Sequence, residues 1–313
     1  MVMYANEQLV SEINDAIISV YQNESMLGLF KGVDIGSIAV EDWYHKKIDD
    51  IPDAALTLAG FNPTVAKLNA SLVSFKVFTA AESLVISEKE WAQFQMWGLD
   101  AKGVEMLGQK VAQMASTYLF TGFDKGIGGA TPHSQDNNIF AAGSGTLASP
   151  SIISTATAGV WSTAANKAFD LALLTAQLVS KGYKLATTLV FYPKIAEQTM
   201  TKKISGATYE TSAKEVLQSS GVMGVIAIPD EYCPTLAGAV PTNILFDLLA
   251  VDISQIEIGY SRTERSRVVD PIGTNRNHTA EAEVWFCPYM IPRPWSDGTS
   301  IVKGVSRISA IAP

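Results

Sequence analysis

At 313 residues the chain exceeds what one compact core usually fills, and nothing in it resembles a flexible linker, so one elaborated domain or two intertwined lobes is expected. Its 47% hydrophobic and 17% charged residues supply a core and exclude disorder. A net charge of −8 and a pI near 5.0 exclude the basic field of a protein that grips nucleic acid through its phosphates.

The opening MVMYANEQ has no Lys or Arg before Lys31 and no apolar core, which predicts no secretory signal and synthesis inside the cell. Leu9, Ile13, Ile17, Val20 and Tyr21 recur at three- and four-residue spacing and predict an amphipathic helix over 6–21. Over 26–50 the periodicity lapses and Gly28, Gly32 and Gly36 interleave with single apolar residues, so 1–50 reads as an arm with one sticky helix and an extended strap. Residues 51–86 read as two extended segments around a turn at Phe61-Asn62-Pro63, with Leu72, Ser74, Lys76 and Phe78 alternating against Ser71, Val73, Phe75 and Val77. A two-stranded hairpin is marginal alone in water, so this one is expected to project and lean on a neighbouring subunit, with Phe75 and Phe78 as candidate contacts.

Ser87-Glu88-Lys89-Glu90 is a capping box opening a short helix that Gly98 can end, and Asp100 can cap a second. In that second helix Val104, Leu107, Val111, Met114 and Tyr118 form one stripe expected to face the subunit's own sheet, with Gly122 as the stop. Residues 137–166, uncharged and broken by Pro150, read as loop and short strand, not as a membrane span. A third helix over 163–181 is expected to turn Phe169, Ala172, Leu173, Ala176 and Val179 inward, with Gly182 beyond its end. Then the pattern becomes α+β. A buried strand covers 185–192, Pro193 opens a helix through 203, Ser212-x-x-Glu215 caps another that Gly221 closes, and 222–228 is a second strand. Further strands cover 244–251 and 255–261. Over 279–287, Ala280, Ala282, Val284 and Phe286 alternate with Glu281, Glu283, Trp285 and Cys287, a half-exposed strand; the run 301–311 suggests a sheet packed under the long helix.

Reactive constellations are not found. Gly126-Ile127-Gly128-Gly129 fails the phosphate-loop frame at Thr131, Ser144 lacks the first glycine of a nucleophile elbow, and no HExxH is present. His45, His133 and His278 are far apart, and Cys233 and Cys287 match neither a CxxC pair nor a zinc set, so both read as packed thiols. No catalytic, cofactor-binding or metal-ligating residue is assigned, no cofactor is implied, and the chain does not read as an enzyme. Arg262, Arg265 and Arg267 around Glu264 are the densest basic cluster; in a strand Arg265 and Arg267 share one face and Arg262 the other, giving either a solvated strand edge or an inter-subunit ion-pair site. Projecting elements without a reactive site suit an assembly subunit whose arm and hairpin find apolar partners on neighbours.

The order of parts from Ser87 through Gly98-Leu99-Asp100 to Tyr118-Leu119-Phe120-Thr121-Gly122 resembles the spine-helix region of the Hong Kong 97-type capsid fold, shared by tailed-virus major capsid proteins and bacterial encapsulins. Leu189-Val190-Phe191-Tyr192-Pro193-Lys194 resembles the entry into that fold's axial lobe, and 280–294 its long peripheral strand. The resemblance implies an α+β chain with an N-terminal arm (1–50), an extended loop (51–86), a peripheral domain with the spine helix (87–184), an axial domain (185–261) and return strands of the peripheral domain (262–313). It further implies pentamers and hexamers of an icosahedral shell around double-stranded DNA held without sequence-specific contacts, scaffolding, portal and decoration proteins as partners, no membrane, and a place in the virion capsid after assembly in the host cytoplasm. An acidic subunit suits a genome driven in by a motor. The alternative is an encapsulin-like compartment enclosing a cargo enzyme.

Overall fold

The computed structural model describes residues 6–35, 42–50, 69–97, 101–121, 151–153, 161, 164–180, 182–203, 211–232, 246–260, 265–269, 277–290, 293–296, 301–302 and 304–311. Helix α1 (Asn6–Glu24) forms where the periodicity predicts it and buries Leu9, Ile13, Ile17 and Tyr21, spaced by one turn plus a fraction. A 3-10 turn capped by Ser25 follows and leads to strand β1 (Lys31–Asp34). Strand β2 (Asp42–Asp50) then pairs antiparallel with β3 (Asn69–Lys76), Trp43 opposite Phe75 and His45 opposite Val73. The ribbon therefore begins earlier than the sequence suggests: its first strand comes from the expected arm, where DWYHKKIDD mixes charge into both faces and hides the period of two. Its expected turn at Phe61-Asn62-Pro63 lies outside the described residues. The residues after it form β4 (Phe78–Ile86), a strand of the body and not of the ribbon.

Helix α2 (Glu88–Trp97) opens on the expected capping box: Ser87 N–H donates to Glu90 Oε2 at 2.9 Å, and Glu90 N–H donates back to Ser87 Oγ at 3.3 Å. Helix α3 (Ala101–Thr121) follows. Gly98, Asp100 and Gly122 lie outside the described residues. Val104, Leu107, Val111 and Tyr118 are buried as expected, but Met114 is 45% exposed; Ala115 and Ser116 take the inner position at that turn. Met114 falls at the outer edge of the stripe, and Ala112, Ala115 and Leu119 form a second buried row on the other side of it. Two rows are needed because α3 is covered on two sides, by the first sheet and by α1.

The contact with α1 corrects the expectation that this helix waits for a neighbouring subunit. Leu9, Ile13, Ile17 and Tyr21 share one core with Val104, Leu107, Val111 and Tyr118 of the same chain. At the crossing, a Cβ on Gly108 would lie 2.6 Å from the Ile17 carbonyl oxygen and 3.2 Å from Val20 Cβ, so the helices approach to backbone contact. Met26 N–H donates to the buried Ser116 Oγ at 3.0 Å and ties the end of this segment to α3.

Strand β5 (Ser151–Ile153) is the short strand expected within 137–166, and α4 (Ala164–Ser180) follows it. The face of α4 is the reverse of the expectation. Lys167, Asp170, Leu171, Leu174, Thr175 and Leu178 are buried, while Phe169 and Val179 are 58% and 52% exposed. Two charged residues point inward, so hydrophobic periodicity selected the wrong side. Gly182, at φ +79°, ends the helix as anticipated. Strand β6 (Thr188–Pro193), the five-residue helix α5 (Glu197–Thr201), α6 (Ala213–Ser219) and β7 (Gly224–Ile228) come next, with Gly221 at φ +90° closing α6. Strand β8 (Phe246–Asp252) leads through a 3-10 turn into β9 (Ile256–Tyr260). The chain continues with β10 (Arg265–Val269), β11 (His278–Met290), β12 (Arg293–Ser296), β13 (Ile301–Val302) and β14 (Val305–Ile311).

Two five-stranded sheets result. In the first, β11 pairs β4 along one edge and β10 and then β9 along the other, with β1 parallel to β9. Ala280, Ala282, Val284 and Phe286 face the core, as their alternation predicts. The second sheet has the order β5-β14-β8-β6-β7. Strands β6 and β8 are buried at every position. Leu189, Phe191, Leu249 and Val251 join the core around α3, whereas Val190, Tyr192, Leu248 and Ala250 join a second core under α4, α5 and α6. A strand covered on both faces reads as a continuous apolar run. Strand β14 lies in this second sheet and not beside β11: Arg307 and Ile308 stand opposite Leu249 and Leu248, while Val305 joins the core around α3. The 301–311 run was assigned to the wrong sheet because its alternation defines an inward face without naming the partner strand.

Gly108→Ala is expected to cost about 1–3 kcal/mol by forcing α1 off α3, while Gly103→Ala on the same helix, where a Cβ meets nothing within 4 Å, is neutral or stabilising by up to about 1 kcal/mol. Denaturant unfolding of the two variants separates them. Deleting residues 1–24 uncovers the inner row of α3 and is expected to abolish the cooperative thermal transition of the subunit, read by circular dichroism.

Candidate assembly surfaces

Of the six residues singled out as inter-subunit contacts, Arg262 and Glu264 lie outside the described residues. Arg265 and Arg267 occupy β10, directly opposite Glu283 and Glu281 of β11. Phe75 stands opposite Trp43 in the ribbon, and Phe78 opposite Phe286 on β4. Strand β11 separates β10 from β4.

The histidines do not converge. His278 is buried and stacked on Trp91, with centroids 4.0 Å apart and planes 17° from parallel, while His45 lies on the ribbon and His133 outside the described residues. Cys233 and the two glycine-rich motifs around Gly128 and Ser144 also lie outside them. Among the described residues no group of three His, Cys, Asp or Glu could hold a metal ion, and no helix is long and apolar enough to cross a membrane.

Several large apolar side chains are exposed among the described residues. Trp97 at the end of α2 is 77% exposed, beside Met96; Met106 and Met114 lie on the outer side of α3, Val85 on β4, and Phe169 and Val179 on α4. Sequence reasoning missed these positions because hydrophobicity marks a side chain without saying which covering surface it meets.

Polar clusters, buried or half-buried, also tie elements together. Arg307 on β14 donates through Nε to Asp247 Oδ2 at 2.8 Å and through Nη2 at 2.5 Å, a pair shut away within the second sheet. Trp161 Nε1 donates to Asp170 Oδ2 at 2.9 Å, and Lys167 Nζ lies 5.7 Å from the Trp161 ring. Burial pushes the Asp170 carboxyl up, partly offset by the Trp161 hydrogen bond, and burial followed by the Lys202 charge pushes Lys167 down. Tyr192 donates to Glu197 Oε2 beside Lys214, and burial first, then the Glu197 carboxylate, holds the phenol far above its ordinary range. The first cluster joins β14 to β8, the third joins β6 to α5 and α6, and the Trp161 cluster reaches the sheet through the edge-on packing of Trp161 on Phe246.

No protein-family model and no curated protein sequence matches the chain. Solved structures do. A structure of Mycobacterium phage Adephagia superposes with a TM-score of 0.60 at 14% identity over 90% of this chain and 88% of that one. The capsid of Myoviridae phage XM1 gives 0.57 at 13% identity over 90% of each chain. The virus-like particle from Pyrococcus furiosus gives 0.56 at 7% identity over 96% of this chain and 99% of that one. The chain has the Hong Kong 97-type capsid fold, an α+β architecture built from a long helix and two sheets.

Removing one partner of the Arg307–Asp247 pair leaves a buried charge, so Arg307→Leu is expected to cost about 3–5 kcal/mol in urea unfolding, with the double change to Leu at both positions recovering much of that loss. In the second capping box, Ser212 N–H donates to Glu215 Oε2 at 2.7 Å and holds that carboxyl below its usual range. A lowered carboxyl stabilises the fold above its unfolded pKa and ceases to do so as pH falls through the depressed value. Ser212→Ala is expected to cost about 1 kcal/mol, and Glu215→Gln to reduce the loss of stability on acidification through the carboxylate range, both read from melts across pH.

Proposed function

We propose that the chain is a major capsid protein whose copies close into an icosahedral shell of pentamers and hexamers around double-stranded DNA. The observation that supports this reading is the likeness over at least 90% of the chain to a phage capsid and a virus-like particle, which leaves little of the fold for another task. In this reading the first sheet with α3 is the peripheral lobe, the second sheet with α4 to α6 the axial lobe, and the β2–β3 ribbon the extended loop that lies on a neighbour. Arg265, Arg267, Phe75 and Phe78, with Arg262 and Glu264, remain the candidate contacts on the peripheral side. Scaffolding, portal and decoration proteins are the expected partners, the virion capsid the location, and host cytoplasm the place of assembly. The role is structural, with no catalysis. The net charge of −8 agrees with DNA packed by force and not condensed by the shell.

A second reading, a compartment enclosing a cargo protein, is kept by the likeness to the Pyrococcus furiosus particle over 99% of that chain. The test is to express the chain with any scaffold it requires and examine it by sedimentation and electron microscopy. Closed particles are expected, with nuclease-resistant DNA in particles from the natural source. A co-purifying folded cargo protein would favour the compartment, and monomers or dimers under every assembly condition would sink both.

A further inference from the structure

Helix α4 is built inside out. Its only charged residues, Lys167 and Asp170, are buried, and its outward side carries Phe169, Ala172, Ala176 and Val179, exposed, with Leu173 half-buried at its edge against the second core, and no charge at all. At 100° per residue these five fall within one broad face, opposite Leu171, Leu174 and Leu178. An outer helix of a lone subunit normally reverses this arrangement, because exposed apolar area costs free energy that burial would recover. The buried charges have their own roles: Asp170 accepts from Trp161, and Lys167 covers that ring. They anchor the helix at the cost of desolvation and leave the outer face free of charge.

We propose that this face of α4 is a seam between adjacent copies of the chain within one ring of the shell, an assignment that rests on the capsid reading. Charge and area both select a second copy as the occupant. The chain carries −8, so two copies repel wherever their carboxylates meet, and an uncharged stripe is where they can touch without that penalty. Nucleic acid or a basic partner would be gripped through charge, which the stripe lacks. Seventeen helical residues make a face about 25 Å long and about 10 Å wide, on the order of 250 Å², well below the roughly 800 Å² per partner of a stable isolated pair. The seam therefore does not hold a dimer. It contributes where other contacts close the ring at the same time, each copy giving its stripe to a different surface of the next.

The test uses two variants of the full chain. V179C is expected to react with a maleimide in unassembled subunits and to be at least tenfold slower in shells, the parent chain giving the background from Cys233 and Cys287. Phe169→Glu is expected to keep the parental melting temperature and lose at least tenfold in shell yield. Equal V179C reactivity in subunits and shells, normal assembly of Phe169→Glu, or protection only after a different protein is added would each overturn the seam. A lowered melting temperature in Phe169→Glu would place the stripe under the chain's own residues and overturn it as well. Failure of the parent to form shells would sink the capsid reading and the seam with it; shells in which V179C stays reactive would sink the seam alone.

Discussion

Helix α3 has to be covered on every side but one, and the remainder of the subunit is arranged by that need. One row of its side chains meets the first sheet, where Tyr118 packs edge-on against Phe286 at 5.4 Å, and a second row meets α1 across Gly108. Its end reaches the second sheet, with Phe120 edge-on to Phe191 at 5.3 Å and stacked on Tyr232 at 5.8 Å. Aromatic pairs of this kind add roughly 0.5–1.5 kcal/mol beyond the area they bury. One helix thus fixes two sheets that share no strand.

The sheets are joined a second time through the backbone. Strand β8 ends at Asp252, whose Oδ1 accepts from Thr187 Oγ1 at 2.8 Å and from Ser254 Oγ at 2.7 Å, and the chain turns there into β9 of the other sheet. With both faces of the second sheet occupied, polar atoms within it must be paired internally, and the Arg307–Asp247 pair does this between β14 and β8. Such a pair selects register more than it stabilises, since either partner alone would be an uncompensated charge.

Much of this was legible in the residues. Both capping boxes, the positive-φ glycines at 182 and 221, the all-apolar runs of β6 and β8 and the alternation of β11 are local rules, and local rules survive folding. What failed needed knowledge of the partner. Met114 fits the spacing of the α3 stripe but lies at its outer edge, and Phe169 and Val179 make a more hydrophobic face than the one α4 buries, because Asp170 and Lys167 find Trp161 inside. The ribbon was misplaced since only pairing shows that 42–50, not the residues after 51, opposes β3. For the assembly contacts, the arginines of β10 stand out by charge density, and only pairing shows that Glu283 and Glu281 are their register partners on the adjacent strand.

Strand β14 lies between β5 and β8, so Ser306 is opposite Ser151 on one side and Ala250 on the other. Both partners precede it by long stretches of chain, which makes these pairings slow to find and sets an order of events on the ribosome. Until residues 305–311 emerge, β8 presents an open edge and β5 has no strand to join. An unfinished chain is for that interval a template for wrong strand pairing, and the arrival of β14 removes the template by pairing β8 on one side and β5 on the other.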